Sequence, residues 1–152
     1  MEGLKSWNSG AFGKFGLNDG SGMVGVHMEI KSAKQLVVYQ KTFELALEVF
    51  ETSKGFTAEE KFGLTSQIRR SSRSVGLNLR EAWAKRRYEK YFVSKLTDCA
   101  GECAETDSSL DFAKACGYLP SERHEALVQL NIEVGKMLSA MLKSPGKFLI
   151  KR

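Results

Sequence analysis

The chain has 152 residues, 42% of them hydrophobic, with a net charge of +5 and a pI of about 9.1. That length suits one domain with a true core, and the composition excludes disorder throughout. The charge fits nucleic acid, an acidic protein or an anionic membrane and chooses none of them.

Residues 1–30 hold half of the fourteen glycines and no helical or strand period, so they read as a flexible arm or leader. Met23 and Met28 are candidate translation starts beside Met1, and mass spectrometry of the native N-terminus would decide among them. The bundle proper is expected over 31–144, followed by a short basic tail at 145–152.

A first helix is predicted over about 32–54, with Leu36, Tyr39, Phe43, Leu47 and Phe50 at three- and four-residue steps as its inner face. Gly55 ends it. Thr57 with Glu60 three residues on has a capping-box pattern, so the second helix is predicted from Thr57 to about Lys85. Leu64, Ile68, Val75, Leu79 and Ala82 keep its period, while Gly63 and Gly76 weaken it locally.

The third helix is predicted over about 88–116, with Phe92, Leu96, Cys99, Cys103, Leu110 and Ala113 facing inward and Gly117 as terminator. Neither Pro nor Gly marks the break near Arg86–Tyr88. It is inferred because an unbroken helix of about 60 residues is improbable. The fourth helix starts after Pro120 with Ser121 as N-cap, carries Leu127, Leu130, Val134, Leu138 and Met141, and stops at Ser144-Pro145-Gly146. Without hairpin signals between them, four helices with short connections predict an all-α, up-down antiparallel four-helix bundle.

The segment from Gln67 to Glu81 sorts into three stripes at about 100° per residue. Ile68, Val75 and Leu79 are apolar. Gln67, Arg70, Ser74, Asn78 and Glu81 form a polar stripe. Its readings are an internal packing network, a subunit interface, or a ligand site. With an antiparallel turn near residue 87, Arg70 faces Glu105 and Arg73 lies near Glu102. A buried Arg70–Glu105 pair would set register more than it stabilises, because desolvation offsets the Coulomb gain.

Arg69, Arg73, Arg80 and Arg87 form the third stripe, about 27 Å long. Phe62 and Trp83 lie on the same side, and Lys85, Arg86 and Lys90 add charge at one end. Arginine beside an aromatic ring suits phosphate contact and base stacking. The candidate nucleic-acid-binding set is therefore Arg69, Arg73, Arg80, Trp83, Lys85, Arg86 and Arg87. Pairing of the same arginines with acids of the third helix or of a neighbouring subunit is the plainer alternative, and contact with a membrane is the third.

Catalytic groups are scarce. The two histidines, His27 and His124, stand in no GxSxG, HExxH or P-loop pattern. No catalytic residue, metal or cofactor is expected. Cys99, Cys103 and Cys116 read as small buried residues in a reducing compartment, with a metal or redox pair as the minor reading. No stretch approaches ~18 consecutive apolar residues, so no membrane span is expected. No signal peptide is evident, which points to the cytoplasm.

The run Glu59-Glu60-Lys61-Phe62-Gly63-Leu64-Thr65-Ser66-Gln67-Ile68-Arg69-Arg70, followed by Ser74, Asn78 and Glu81, resembles the bacterial four-helix-bundle proteins associated with 23S rRNA intervening sequences. So do Val38-Tyr39-Gln40-Lys41 with Leu45-Ala46, Gly101 with Glu105, and Gly117-Tyr118-Leu119. The resemblance covers about 34–143. It implies a left-handed bundle that assembles into a ring, a homopentamer in characterised relatives, with no known enzymatic activity. It also implies a fold-level relation to the accessory bundle of diversity-generating retroelements, where a basic ring contacts RNA and reverse transcriptase. Two positions depart from the family pattern. Ala82 replaces the glycine after the motif glutamate, and Trp83-Ala84-Lys85-Arg86-Arg87 replaces a Gly/Ser turn, making that corner more helical and more basic. The functional expectation is a non-catalytic, homo-oligomeric accessory or scaffold protein that contacts RNA or an RNA-handling protein. The alternative is a purely structural interaction bundle with its arginines in interface ion pairs.

Overall fold

Four helices follow one another with short links: α1 (Val37–Ser53), α2 (Leu64–Ala84), α3 (Glu89–Ala115) and α4 (Ser121–Lys143). They form an antiparallel bundle in which α2 packs on α1 and α3, and α4 packs on α1 and α3. The computed structural model describes residues 29–151, and no strand occurs among them. The expected glycine-rich arm, with Met23, Met28 and His27, lies almost wholly outside the described residues.

Each helix boundary has a local cause. Ser32 and Gln35 cap a 3-10 turn at Ala33–Gln35 reciprocally, Ser32 Oγ accepting from the Lys34 amide and Gln35 Oε1 from the Ser32 amide. This shortens α1 relative to the predicted helix. The Thr57–Glu60 capping box does not form. Residues Ala58–Glu60 make a 3-10 turn instead, and Glu60 Oε2 accepts the Leu64 amide of α2 at 2.8 Å. The carboxylate thus caps the helix one turn further on, where it also takes the Tyr118 hydroxyl at 3.3 Å. Pro120, with extended backbone, holds the N-cap position of α4, and Ser121 is its first residue.

Gly117 terminates α3 as expected. Its φ of 77° is left-handed, a conformation that costs a side-chain-bearing residue. The Gly117 amide donates to the Lys114 carbonyl and the Tyr118 amide to the Ala113 carbonyl, a Schellman closure. The reversal sends Tyr118 back onto Phe56, with ring centroids 5.7 Å apart.

The core runs the length of the bundle through Leu45, Ile68, Val75, Leu79, Phe92, Leu96, Leu110, Leu127, Val134 and Leu138, all essentially inaccessible. The inner faces predicted for α2, α3 and α4 hold, except that Leu130 is only half-buried. The face predicted for α1 is corrected. Its buried residues are Val38, Thr42, Leu45, Val49 and Ser53. Phe43 is exposed, and Tyr39, Leu47 and Phe50 are half-buried. The helix carries two apolar stripes with the same spacing, and periodicity cannot rank them.

Small and polar residues mediate the inner contacts of α2. A Cβ built on Gly76 would stand 2.9 Å from Thr42 Oγ1, so the missing side chain lets α1 approach. Thr42 is satisfied within its own helix, donating to the Tyr39 carbonyl at 2.7 Å. Across the α2–α3 interface, Thr106 donates to Ser71 Oγ at 2.9 Å, and Cys99 Sγ lies 3.4 Å from the Val75 carbonyl. Asn131 of α4 is buried and donates to the Cys103 carbonyl at 2.9 Å.

The C-terminal residues fold back. A 3-10 turn at Pro145–Lys147 brings Phe148 to 6.2 Å from the Phe92 ring, and the Ile150 amide donates to the Arg86 carbonyl at 3.4 Å.

Candidate nucleic-acid interface

The arginines of α2 run along its edge toward α1. Arg69 lies with its guanidinium 4.8 Å from the Phe50 ring centroid and donates from Nε to Ser53 Oγ at 2.7 Å. Ser53 in turn donates to the Phe50 carbonyl. Arg73, one turn on, lies 5.7 Å from the same ring. Arg80 reaches the first turn of the bundle and donates to Ser32 Oγ at 3.0 Å. Arg73 therefore does not pair with Glu102. The basic stripe faces α1, whereas Glu102 lies on α3 across the opposite edge of α2.

Arg73 borders a groove of about 400 Å³ between α1 and α2. Tyr39, Phe43, Leu47 and Phe50 form one wall, and Arg73, Gly76 and Leu77 form the other. Leu77 is 68% exposed, unusual for a leucine in the middle of a packed helix. Phe50, which periodicity assigned to the core, is instead the aromatic seat of the two arginines.

At the far end of α2, Arg86 folds over Trp83. Its guanidinium is 4.2 Å from the ring centroid and donates to the Trp83 carbonyl at 2.8 Å. Trp83 is half-buried, so one face of the ring expected to stack on a base is already covered by Arg86. Lys85 pairs with Glu81 at 2.7 Å. Arg87 is exposed. Among the described residues, Arg69, Arg73, Arg80, Arg86 and Arg87 have no carboxylate oxygen within ion-pair distance. The partners of Arg69, Arg73, Arg80 and Arg86 are rings, hydroxyls and a carbonyl.

The polar stripe lies on the opposite edge, against α3. Arg70 Nη2 and Glu105 Oε1 are 3.1 Å apart, but the side chains are 65% and 41% exposed. The pair is a surface one, not buried, because the centre of this interface is filled by Ser71, Val75, Thr106 and Cys99. Glu81 bridges Lys85 and Lys95 of α3. Hydrogen bonds from those two amines hold its carboxyl below the usual carboxylate range and raise Lys95. Gln67 is exposed, and Ser74 and Asn78 are half-buried; their side chains do not join the pairs at either end. Ser71 and Thr106, which sequence reasoning passed over, are the buried polar contact. Ser71 shares the face of Ile68 and Val75, which was the available sign.

Cys99 and Cys103 are buried, and burial pushes both thiols up to about 12. Cys116 is exposed, a correction to the expectation that all three are buried: it is the C-cap residue of α3, beyond the last core turn. No cluster of ligands suited to a metal occurs among the described residues. No helix among them is long and apolar enough to cross a membrane.

The sequence matches the family model for 23S rRNA-intervening sequence proteins over residues 34–140. The chain belongs to that family. The match begins at the capped turn and ends in the last turns of α4, so it spans the bundle described here. A similar fold occurs in a protein of unknown function from the S23 ribosomal protein family of Bacteroides thetaiotaomicron VPI-5482. It is 28% identical, with a TM-score of 0.65, and the alignment covers 71% of this chain and all of that one. No curated protein matches. Neither the family nor this neighbour is known for catalysis.

Proposed function

We propose that this family member is a non-catalytic, homo-oligomeric accessory or scaffold protein of the cytoplasm that associates with RNA through the basic edge of α2. The observation that carries the reading is the seating of its arginines. Arg69, Arg73, Arg80 and Arg86 are held by Phe50, Ser53, Ser32 and Trp83, and among the described residues no acid neutralises them. Aromatic and hydroxyl partners orient a guanidinium without cancelling its charge, which leaves the edge attractive to phosphate.

Self-association, a homopentamer by resemblance to characterised relatives, would use the adjoining apolar groove, where Leu77 stands in solvent. The second reading is a structural bundle whose arginines pair with acids of a neighbouring subunit. Reversing the charge of Arg80 and Arg87, neither of which lines that groove, separates the two. If RNA binds there, affinity falls and the slope of log affinity against log salt decreases by about 2, one per lost phosphate contact. If the arginines serve subunit pairing, the oligomer dissociates in light scattering. An unchanged salt slope would sink the RNA reading.

A further inference from the structure

We propose that the end of the bundle where α2 turns into α3 is a platform for unpaired RNA, with the C-terminal tail as its second wall. This rests on the reading of the protein as RNA-associated and names the form of RNA it takes. Tyr88 precedes α3 and Tyr91 lies in its first turn. Their rings meet edge to face with centroids 6.0 Å apart. They are 54% and 60% exposed, while Phe92, the next residue, fills the core position. The core therefore has no need of either tyrosine ring.

The surrounding charge is one-sided. Residues 85–91 and 145–151 together carry six cations, Lys85, Arg86, Arg87, Lys90, Lys147 and Lys151, against one acid, Glu89; Glu81 pairs with Lys85, which leaves five cations against Glu89. The tail is anchored to this end by Phe148 on Phe92 and by the Ile150 amide on the Arg86 carbonyl. Anchoring places Lys151, next to Ile150, at the corner, while Lys147 lies on the α1–α4 side of the same end. A duplex would use the cations but hides its base faces in its own stack. An acidic protein would use the cations and leave the rings idle. Unpaired bases beside their phosphates satisfy both.

The test is fluorescence anisotropy of the full chain with a short labelled oligouridine and with an RNA duplex of the same length. Three variants are compared: Y88A/Y91A, the ring-retaining Y88F/Y91F, and R87E/K147E/K151E, each checked for helicity by circular dichroism. Wild type binds oligouridine more tightly than duplex. Y88A/Y91A weakens oligouridine binding by about 5- to 150-fold, the range for losing one stacked base, and barely changes duplex binding. Y88F/Y91F keeps wild-type affinity, and the charge-reversal variant weakens both ligands. Equal or tighter duplex binding by wild type overturns the platform and leaves RNA association standing. So does loss in the charge variant alone, with Y88A/Y91A unchanged. Absence of binding to either RNA, or displacement by polyglutamate as effective as by RNA, overturns the association itself and the platform with it.

Discussion

Cys99, Cys103 and Cys116 show how placement sets the chemistry of identical residues. Two thiols sit in the bundle interior, where the charged thiolate would lose its hydration, and both are pushed up to about 12. The third stands at the exposed end of α3. A thiol reagent at pH 8 is therefore expected to titrate one cysteine in the native protein and all three after denaturation, read by absorbance. The same burial predicts an alkaline weakness. The unfolded thiols ionise near their ordinary value of 9.0 while the folded ones do not. Above that pH the unfolded state binds fewer protons, so stability falls as pH rises from about 9 to 12. Chemical denaturation midpoints across that window measure the slope, and serine at both buried positions should flatten it.

The helices are closed by contacts of a few atoms, and these decide how one element leads into the next. Gly117 ends α3 with left-handed backbone and directs Tyr118 onto Phe56. Gly117→Ala is expected to cost about 1–2 kcal/mol, the strain of a side-chain-bearing residue in that conformation, measured by urea denaturation. The space around a new Cβ there is open, so strain and not collision sets the effect. The Arg70–Glu105 pair also joins two elements, but it is exposed. Exposed pairs contribute ~0.2–1 kcal/mol, so its place in the motif reflects register or surface more than stability. Glu60 combines both roles: one oxygen caps α2 and the other takes the Tyr118 hydroxyl, tying the α1–α2 link to the α3–α4 link.

At the scale of the whole molecule, the surfaces that the described residues leave outside the core include two that combine apolar or aromatic side chains with arginine. One is the α1–α2 groove, where Tyr39, Leu47 and Leu77 are apolar and partly exposed, with Arg73 along its edge. If copies of the chain assemble through it, Leu77→Lys places a charge in the contact and yields monomers in native mass spectrometry. Helicity should persist, since Leu77 contributes little to the core. An unchanged oligomer would move the interface elsewhere. The other surface is the basic, tyrosine-bearing end at the α2–α3 turn. It begins about 10 Å along the α2 axis from Leu77, where the helix ends at Ala84.

Much of this architecture was legible in the residues themselves. A 3.6-residue period on α2, α3 and α4 needs only one apolar face per helix, and each helix shows one, so their buried sides follow directly from sequence. Gly117 announced its turn because little else tolerates that backbone. The pairing of Arg70 with Glu105 followed from antiparallel register and a short turn. Helix α1 was not decidable in this way. Its two apolar stripes have the same spacing, and the choice between them depends on how closely α2 approaches. Gly76 against Thr42 makes that approach possible, a contact between residues far apart in the chain. The partners of the arginines were undecidable for the same reason. Sequence showed three basic turns on one side of a helix, but only packing set that side against Phe50 and Ser53 and away from the acids of α3. Periodicity reports which faces a helix has, whereas the neighbour each face meets is settled by the shape of the whole bundle.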